Sequence, residues 1–132
     1  MQSPFTFTKN LVIWVDDQPE NNRAQVEACH RQDKIEVVQL TSTSMALKWA
    51  HEFAWILTWM NTKTKVITDM VRVEEGESKP NLSAGIDLME AYYKLKGYST
   101  PIIVYCNDTE RARQSARDRG IPPERVGKIT AS

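Results

Sequence analysis

Acidic side chains directly follow two of the apolar segments in this 132-residue chain. Asp16 and Asp17 come after the run LVIWV at residues 11–15, and Asp69 follows KVIT at residues 65–68. If both segments are parallel strands, their carboxyl ends meet at one edge of the sheet and bring three carboxylates together. Mutual repulsion among them is relieved by a divalent cation, and carboxylate oxygens suit Mg²⁺. A carboxylate beside Mg²⁺ can attack a phosphoryl group and form an acyl phosphate.

Both acidic stretches also have an ordinary structural explanation. Asp17 can cap a helix over about residues 19–31, because Asp17 and Glu20 have capping-box spacing and Pro19 suits a first helical turn. Asp69 can be a turn residue at the end of its strand. We favour the functional interpretation because the acids are expected at one edge of the sheet. A wide separation between them, or a basic side chain filling the gap, would remove the basis for phosphate chemistry.

The apolar segments alternate between strand and helix patterns, which predicts a parallel sheet with helices on both faces. We expect strands at residues 11–15, 35–40, 65–68, 101–105 and 125–129, and helices at residues 19–31, 45–60, 84–96 and 109–119. The segment VRVEEGESKPNLS, residues 71–83, has the composition of a mobile loop. Too few residues follow the fifth strand for a closing fifth helix. We therefore expect either a fragment of a longer protein or a partner domain that covers the sheet.

Composition favours a single globular domain and excludes several classes. Seventeen basic and seventeen acidic side chains give a formal net charge of +0, and 41% of the residues are hydrophobic. This balance predicts no direct nucleic-acid binding and no membrane binding, and no apolar run reaches the roughly 18 residues of a membrane span. Cys29 and Cys106 provide neither a disulfide framework nor zinc-ligand spacing. We predict a cytoplasmic protein with an N-terminal extension, residues 1–10, before a domain at residues 11–132.

Four segments together resemble a known family. In chain order they are LVIWVDDQPENN, KVITDM, AGIDLMEAYYK and PIIVYCND, and they are similar to the signatures of the CheY-like receiver domain of two-component response regulators. The resemblance covers about residues 11–129. It implies a three-layer flavodoxin-like fold with five parallel strands in the order 2-1-3-4-5.

The resemblance also implies roles for particular residues in a phosphorelay. Asp69 would accept a phosphoryl group from a histidine kinase or a histidine phosphotransfer protein. Asp16, Asp17, Asp69 and the backbone carbonyl of Val71 would hold Mg²⁺. The chain would then be a phosphorylated signal-transduction domain rather than a dedicated enzyme.

The sequence departs from the family pattern at three positions. Cys106 stands where the family has serine or threonine, and a thiol is a weaker hydrogen-bond donor than a hydroxyl. Asn107 stands where a small residue is usual. Lys128, followed by Ile129, only loosely matches the lysine that ends the fifth strand. These departures favour capture of phosphate over conventional transmission of the signal.

A receiver-like interaction or dimerisation module that does not use phosphate is the alternative. Trp55 and Trp59 lie one turn apart on a predicted helix and are a possible interface, for a homodimer or another partner. Equally, both tryptophans can pack within the domain. A magnesium-dependent phosphatase is a weaker alternative, because the two acids after the first strand are adjacent and do not form an Asp-x-Asp pair.

Overall fold

Strands and helices alternate along the chain as the sequence predicts. The computed structural model describes residues 10–32, 35–59, 63–96, 100–121 and 129–131. The strands are β1 (Asn10–Val15), β2 (Glu36–Leu40), β3 (Lys63–Asp69), β4 (Ile102–Cys106) and β5 (Ile129–Ala131). The helices are α1 (Arg23–Gln32), α2 (Thr43–Trp59), α3 (Ala84–Lys96) and α4 (Thr109–Asp118), with a short 3-10 helix, Pro19–Asn22, before α1.

All strands pair in parallel in one sheet with the order β2-β1-β3-β4-β5. The predicted α/β, flavodoxin-like fold class is confirmed over the four longer strands. The three-residue β5 begins at Ile129, where the predicted fifth strand ends, and the rest of that prediction lies outside the described residues. Ser132 also lies outside them, so the expectation about a closing helix stays a prediction.

The core fills both faces of the sheet because the central strands carry apolar side chains in both directions. Ile13, Val66, Ile102 and Val104 are at most 1% exposed. Among the helix side chains that the structure describes, α3 supplies the largest buried group, namely Ile86, Leu88, Met89, Tyr92 and Tyr93. Helix α4 contributes only Ala112 and Ala116, so it can lie close to the sheet while its other faces stay polar.

The predicted cap of the first helix is wrong. The capping position of the 3-10 helix is Gln18, which makes no capping bond through its side chain. The backbone N–H of Gln18 donates to Asp16 Oδ1 at 2.8 Å, so the turn after β1 is closed by Asp16. Asp17 instead accepts the backbone N–H of Val73 at 3.0 Å. The second acid therefore ties β1 to the loop after β3 and does not start a helix.

Among the helices that the structure describes, none combines the length and the apolar character needed to cross a lipid bilayer.

Candidate functional site

The three predicted carboxylates converge at the carboxyl edge of the sheet. Asp16 and Asp17 follow β1, and Asp69 is the last residue of β3. Because β1 and β3 are neighbours paired in parallel, both strands end at the same edge. One carboxylate oxygen from each of the three residues lies within 4.8 Å of the others. We call these three residues the acidic site.

Asp16 is held rigidly by hydrogen bonds to both oxygens. Its Oδ1 accepts the Gln18 N–H described above, while Oδ2 accepts from Asn22 Nδ2 at 3.0 Å and from the Tyr105 hydroxyl at 2.6 Å. The ring N–H of Trp14 in turn donates to the Tyr105 hydroxyl at 3.3 Å. The short contact to Asp16 and burial both raise the pKa of Tyr105, with burial the larger cause. Tyr105 is therefore a fixed, protonated donor to the acidic site.

Close packing of α3 fixes the backbone at Asp69. The N–H of Gly85, in the first turn of α3, donates to the Met70 carbonyl at 3.0 Å. A Cβ atom on Gly85 would lie 2.5 Å from the Asp69 carbonyl oxygen and 3.0 Å from Met70 Cα. No side chain fits in that space, so glycine is required for α3 to begin against the end of β3.

A buried arginine reaches Asp69 from the loop between β3 and α3. Arg72 is 1% exposed, and its Nη1 donates to Asp69 Oδ1 at 2.5 Å and to Thr68 Oγ1 at 2.7 Å. Its other N–H groups donate to acceptors on three further residues: Thr43 Oγ1 at 2.6 Å, Ala84 O at 3.3 Å and Glu74 Oε1 at 3.0 Å. We call Arg72 and these five acceptor residues the arginine network.

A basic side chain that filled the gap between the three carboxylates would remove the basis for phosphate chemistry, and Arg72 is a basic side chain at this place. A basic side chain is indeed present at Asp69, where it occupies one carboxylate oxygen. Within the described part of the chain, none of the bonds that Arg72 makes reaches Asp16 or Asp17. The three carboxylates still offer oxygens within 4.8 Å of one another. Arg72 therefore modifies the acidic site without separating its members.

Burial dominates the pKa of Asp69. It raises that pKa to about 7, Arg72 opposes the rise, and the charges of Asp16 and Asp17 add smaller increases. Arg72 also donates to Glu74, so its charge is shared between two carboxylates. The charged form of Asp69 is therefore disfavoured mainly because burial removes it from water.

A cavity of about 320 Å³ opens beside Asp69 on the side of β4 and α4. We call it the β4 cavity; Asp69, Met70, Val71, Leu82, Tyr105, Cys106, Asn107, Asp108, Arg111 and Ala112 line it. Asp108 caps α4, since its carboxylate accepts the Arg111 N–H at 3.1 Å. The cap fixes the far wall of the cavity. Open space thus adjoins the acidic site on this side, whereas the side of the arginine network is filled by buried, hydrogen-bonded side chains.

Three further predicted residues line the same cavity. Val71 follows Asp69 by two residues, and its role as a carbonyl ligand stays a prediction. Cys106 is half-buried, its Sγ donates to the Asp108 carbonyl at 3.5 Å, and burial raises the pKa of the thiol. Asn107 is exposed. The structure thus brings Cys106 and Asn107 to the cavity beside Asp69, and their contact with a phosphoryl group stays a prediction.

The remaining predicted residues lie outside what the structure describes. Lys128 falls in the gap between residues 121 and 129, so its place near Asp69 is still a prediction. The backbone of Trp55 and Trp59 is helical within α2, but their side chains lie outside the described residues. The possible tryptophan interface is therefore also still a prediction.

Sequence reasoning missed Arg72 and Tyr105. Arg72 lies in the segment interpreted as a mobile loop, and that interpretation is wrong at this residue, which is buried and paired through its backbone with Asn81. A cation three residues after the end of β3 was the available signal. Tyr105 pairs with Asp69 in the register of β3 and β4. Parallel register would have placed it beside Asp69, one residue before Cys106.

No protein-family model matches this chain, and a search of curated proteins found no match. Membership of a family is therefore not shown. The likeness to receiver domains rests on the four segments quoted from the sequence, and the function has to be argued from the site itself.

Proposed function

We propose that this chain is a phosphoacceptor domain of a phosphorelay. Asp69 accepts the phosphoryl group from a phosphohistidine on a histidine kinase or histidine phosphotransfer protein, with Mg²⁺ held by the acidic site. One observation carries the proposal: oxygens of Asp16, Asp17 and Asp69 converge within 4.8 Å at the sheet edge, beside an open cavity.

The chemistry of the donor set supports Mg²⁺ as the cofactor. Arg72, which also pairs with Glu74, offsets only part of the negative charge of the three carboxylates, and a divalent cation would reduce the repulsion that remains. The oxygens are hard ligands of the kind that Mg²⁺ takes, with waters completing its coordination. A cation there would oppose the rise in the pKa of Asp69, which burial causes for the most part and the charges of Asp16 and Asp17 increase. When bound, Mg²⁺ would neutralise charge on the transferring phosphoryl oxygens.

Asp69 has the position that a nucleophile needs. Arg72 donates to Oδ1, and Asp69 lines the open β4 cavity, so Oδ2 is the oxygen that we assign to the attack. In the transfer, Oδ2 bonds to phosphorus while the phosphorus–nitrogen bond of the phosphohistidine breaks. The imidazole leaves with the bonding electron pair and takes up a proton. Asp16 and Tyr105 stay in place, because both are fixed by hydrogen bonds.

Intact-mass measurement tests the proposal directly. The protein is treated with acetyl phosphate and Mg²⁺, and we expect a single phosphoryl adduct that is sensitive to hydroxylamine. Asp69→Asn should abolish the adduct, whereas Asp108→Asn, which alters a cavity-lining carboxylate outside the acidic site, should retain it. Absence of an adduct on the unmodified chain, or its persistence in Asp69→Asn, would overturn the proposal.

A second candidate function is a receiver-like interaction or dimerisation module without phosphorylation. It is favoured by the pairing of Asp69 with Arg72 and by an apolar row on α2. In that row Met45 and Phe53 are exposed, and the Trp49 and Phe53 rings contact at a centroid distance of 5.1 Å. Size measurements at several concentrations, with and without beryllofluoride and Mg²⁺, separate the candidates. Association that is the same with and without beryllofluoride and Mg²⁺ supports the interaction module. Association that changes when beryllofluoride is added contradicts it.

A further inference from the structure

We infer that Arg72 is a cation fixed against Asp69, the proposed phosphoacceptor, and that it weakens Mg²⁺ binding and shortens the lifetime of the phosphorylated state. This inference rests on the proposed function, because it concerns how the acidic site binds Mg²⁺ and releases phosphate. It adds a residue from the β3–α3 loop to the site. The sequence pattern alone does not place a functional cation there.

Arg72 is committed to Asp69 by its geometry. A guanidinium has five N–H donors, and the arginine network provides acceptors around all three nitrogens. Thr43 Oγ1, which accepts from Nη2, itself donates to Glu74, and the Thr43 N–H donates to the same carboxylate at 2.9 Å. The network is thus anchored to the first turn of α2. Arg72 cannot swing away from Asp69 without leaving several buried polar groups unpaired.

The fixed cation opposes the binding of Mg²⁺. Arg72 Nη1 lies 2.5 Å from Asp69 Oδ1, so the positive charge of Arg72 repels a second cation on the same carboxylate. Glu74 moderates this effect by sharing the charge of Arg72 through the 3.0 Å contact with Nε. The site therefore holds Mg²⁺ more weakly than three bare carboxylates would. A purely structural arginine would have the opposite signature, because its removal would disorder Asp69 and weaken Mg²⁺ binding.

The same cation makes Asp69 a better leaving group. When water attacks phosphorus in phosphorylated Asp69, the bond from phosphorus to the carboxyl oxygen breaks. The products are inorganic phosphate and the Asp69 carboxylate, and the proton lost by water passes to solvent. Negative charge grows on both carboxyl oxygens during this step, and Arg72 stabilises the share on Oδ1. Arg72 therefore shortens the lifetime of the phosphorylated state.

Mg²⁺ titrations of Arg72→Met and Arg72→Lys test the inference. Tryptophan fluorescence is followed at rising pH until the dissociation constant levels off, which removes competition by protons. We expect the limiting constant to be about tenfold lower in Arg72→Met and near that of the unmodified chain in Arg72→Lys, which restores the charge. The lifetime of the phosphoryl adduct should lengthen about tenfold in Arg72→Met. Arg119→Met is the matched control: Arg119 pairs with Asp87 away from the acidic site, and both values should be unchanged.

Each outcome decides the inference. Weaker or unchanged Mg²⁺ binding in Arg72→Met overturns it, as does failure of Arg72→Lys to restore the value. If Arg72→Met does not fold, Glu74→Gln replaces it: the full charge of Arg72 then acts on Asp69, and Mg²⁺ binding should weaken several-fold. Unchanged binding in Glu74→Gln contradicts the inference. If the unmodified chain binds Mg²⁺ but forms no adduct, the proposed function fails, and the Mg²⁺ titrations still decide the role of Arg72.

Discussion

The two sides of Asp69 differ in how completely they are filled. On the side of α2 and α3, Arg72 is buried with its donors satisfied, and Gly85 leaves no room for a methyl group. On the side of β4 and α4, the β4 cavity adjoins half-buried Cys106 and exposed Asn107. The filled side holds Asp69 in position, and the open side provides space beside it, where the proposed phosphoryl donor would enter. We therefore expect Gly85→Ala, on the filled side, to lower stability most, and Cys106→Thr, on the open side, to change the affinity for a bound group.

Gly85→Ala should produce the largest loss of stability, because it introduces a clash on the filled side of Asp69. Its Cβ would lie 2.5 Å from the Asp69 carbonyl oxygen, and backbone must move to relieve the clash. We expect the free energy of unfolding to fall by about 3 kcal/mol, as in other overpacked positions. Urea denaturation measures the change.

Gly76→Ala is the matched control for Gly85→Ala. Gly76 has a φ of 82°, but a Cβ there would meet nothing within 4 Å. Only the conformational preference is lost, which costs about 1 kcal/mol. Equal losses in the two variants would contradict the claim that close packing against Asp69 is the reason for glycine at position 85.

The pair formed by Tyr105 and Asp16 should show the next largest effect. The hydroxyl of Tyr105 donates to Asp16 Oδ2 at 2.6 Å, a charge-assisted hydrogen bond in a partly buried setting. A double-mutant cycle with Tyr105→Phe and Asp16→Asn should give a coupling energy of about 2 kcal/mol in urea denaturation. Additive losses would show that Tyr105 does not fix Asp16.

The dissociation constant for Mg²⁺ at the acidic site should depend on pH. Because the pKa of Asp69 is raised to about 7, Mg²⁺ must displace a proton below that pH. The dissociation constant should fall about tenfold for each pH unit between 5 and 7 and level off above 8. Calorimetric titration checks this, and a slope of zero across the interval would contradict it.

The raised pKa of Asp69 also makes the free energy of unfolding depend on pH when no metal is bound. The native protein keeps the proton of Asp69 up to its raised pKa of about 7, whereas the unfolded chain loses it near the ordinary aspartate pKa of 3.8. The contribution of Asp69 to the free energy of unfolding is therefore full below about pH 4, decreases as the pH rises to 7, and is constant above. Asp69→Asn should remove this slope.

Cys106→Thr should produce the smallest effect, on the open side. A hydroxyl in the β4 cavity is a better donor than the thiol, whose pKa is raised by burial. With Mg²⁺ present, beryllofluoride should bind about fivefold more tightly, which corresponds to one modest hydrogen bond. Cys106→Ala should leave the affinity unchanged. No gain with threonine would place the phosphoryl group away from Cys106.

The sequence predicted the fold and the convergence of carboxylates well, for a physical reason. Continuous apolar runs such as residues 11–15 can only be buried on both faces, and parallel strands end at one edge. The sequence alone therefore predicts that Asp16 and Asp69 lie together. The span of α3, residues 84–96, also agrees with its prediction.

The arginine network could not be predicted in the same way. Residues 71–83 have the composition of a solvent-exposed loop, and only tertiary contacts with Thr43 and Ala84 bury Arg72. The capping prediction for Asp17 failed for a related reason, because a partner 56 residues away, the N–H of Val73, competes for its carboxylate. Local sequence patterns predict contacts between residues that are close in sequence. Arg72 and Asp17 instead form hydrogen bonds with residues that are distant in sequence.

The backbone pairing of Arg72 with Asn81 closes the β3–α3 loop at its base. Their N–H groups donate to each other's carbonyls at 3.3 Å and 2.8 Å. Beyond Glu74 and Glu75, which contact α2, the stretch from Gly76 to Pro80 is exposed. Its length can change at a small entropic cost while the base keeps its shape. A peptide epitope or a fluorescent label grafted between residues 77 and 80 would thus make this protein detectable without disturbing Asp69.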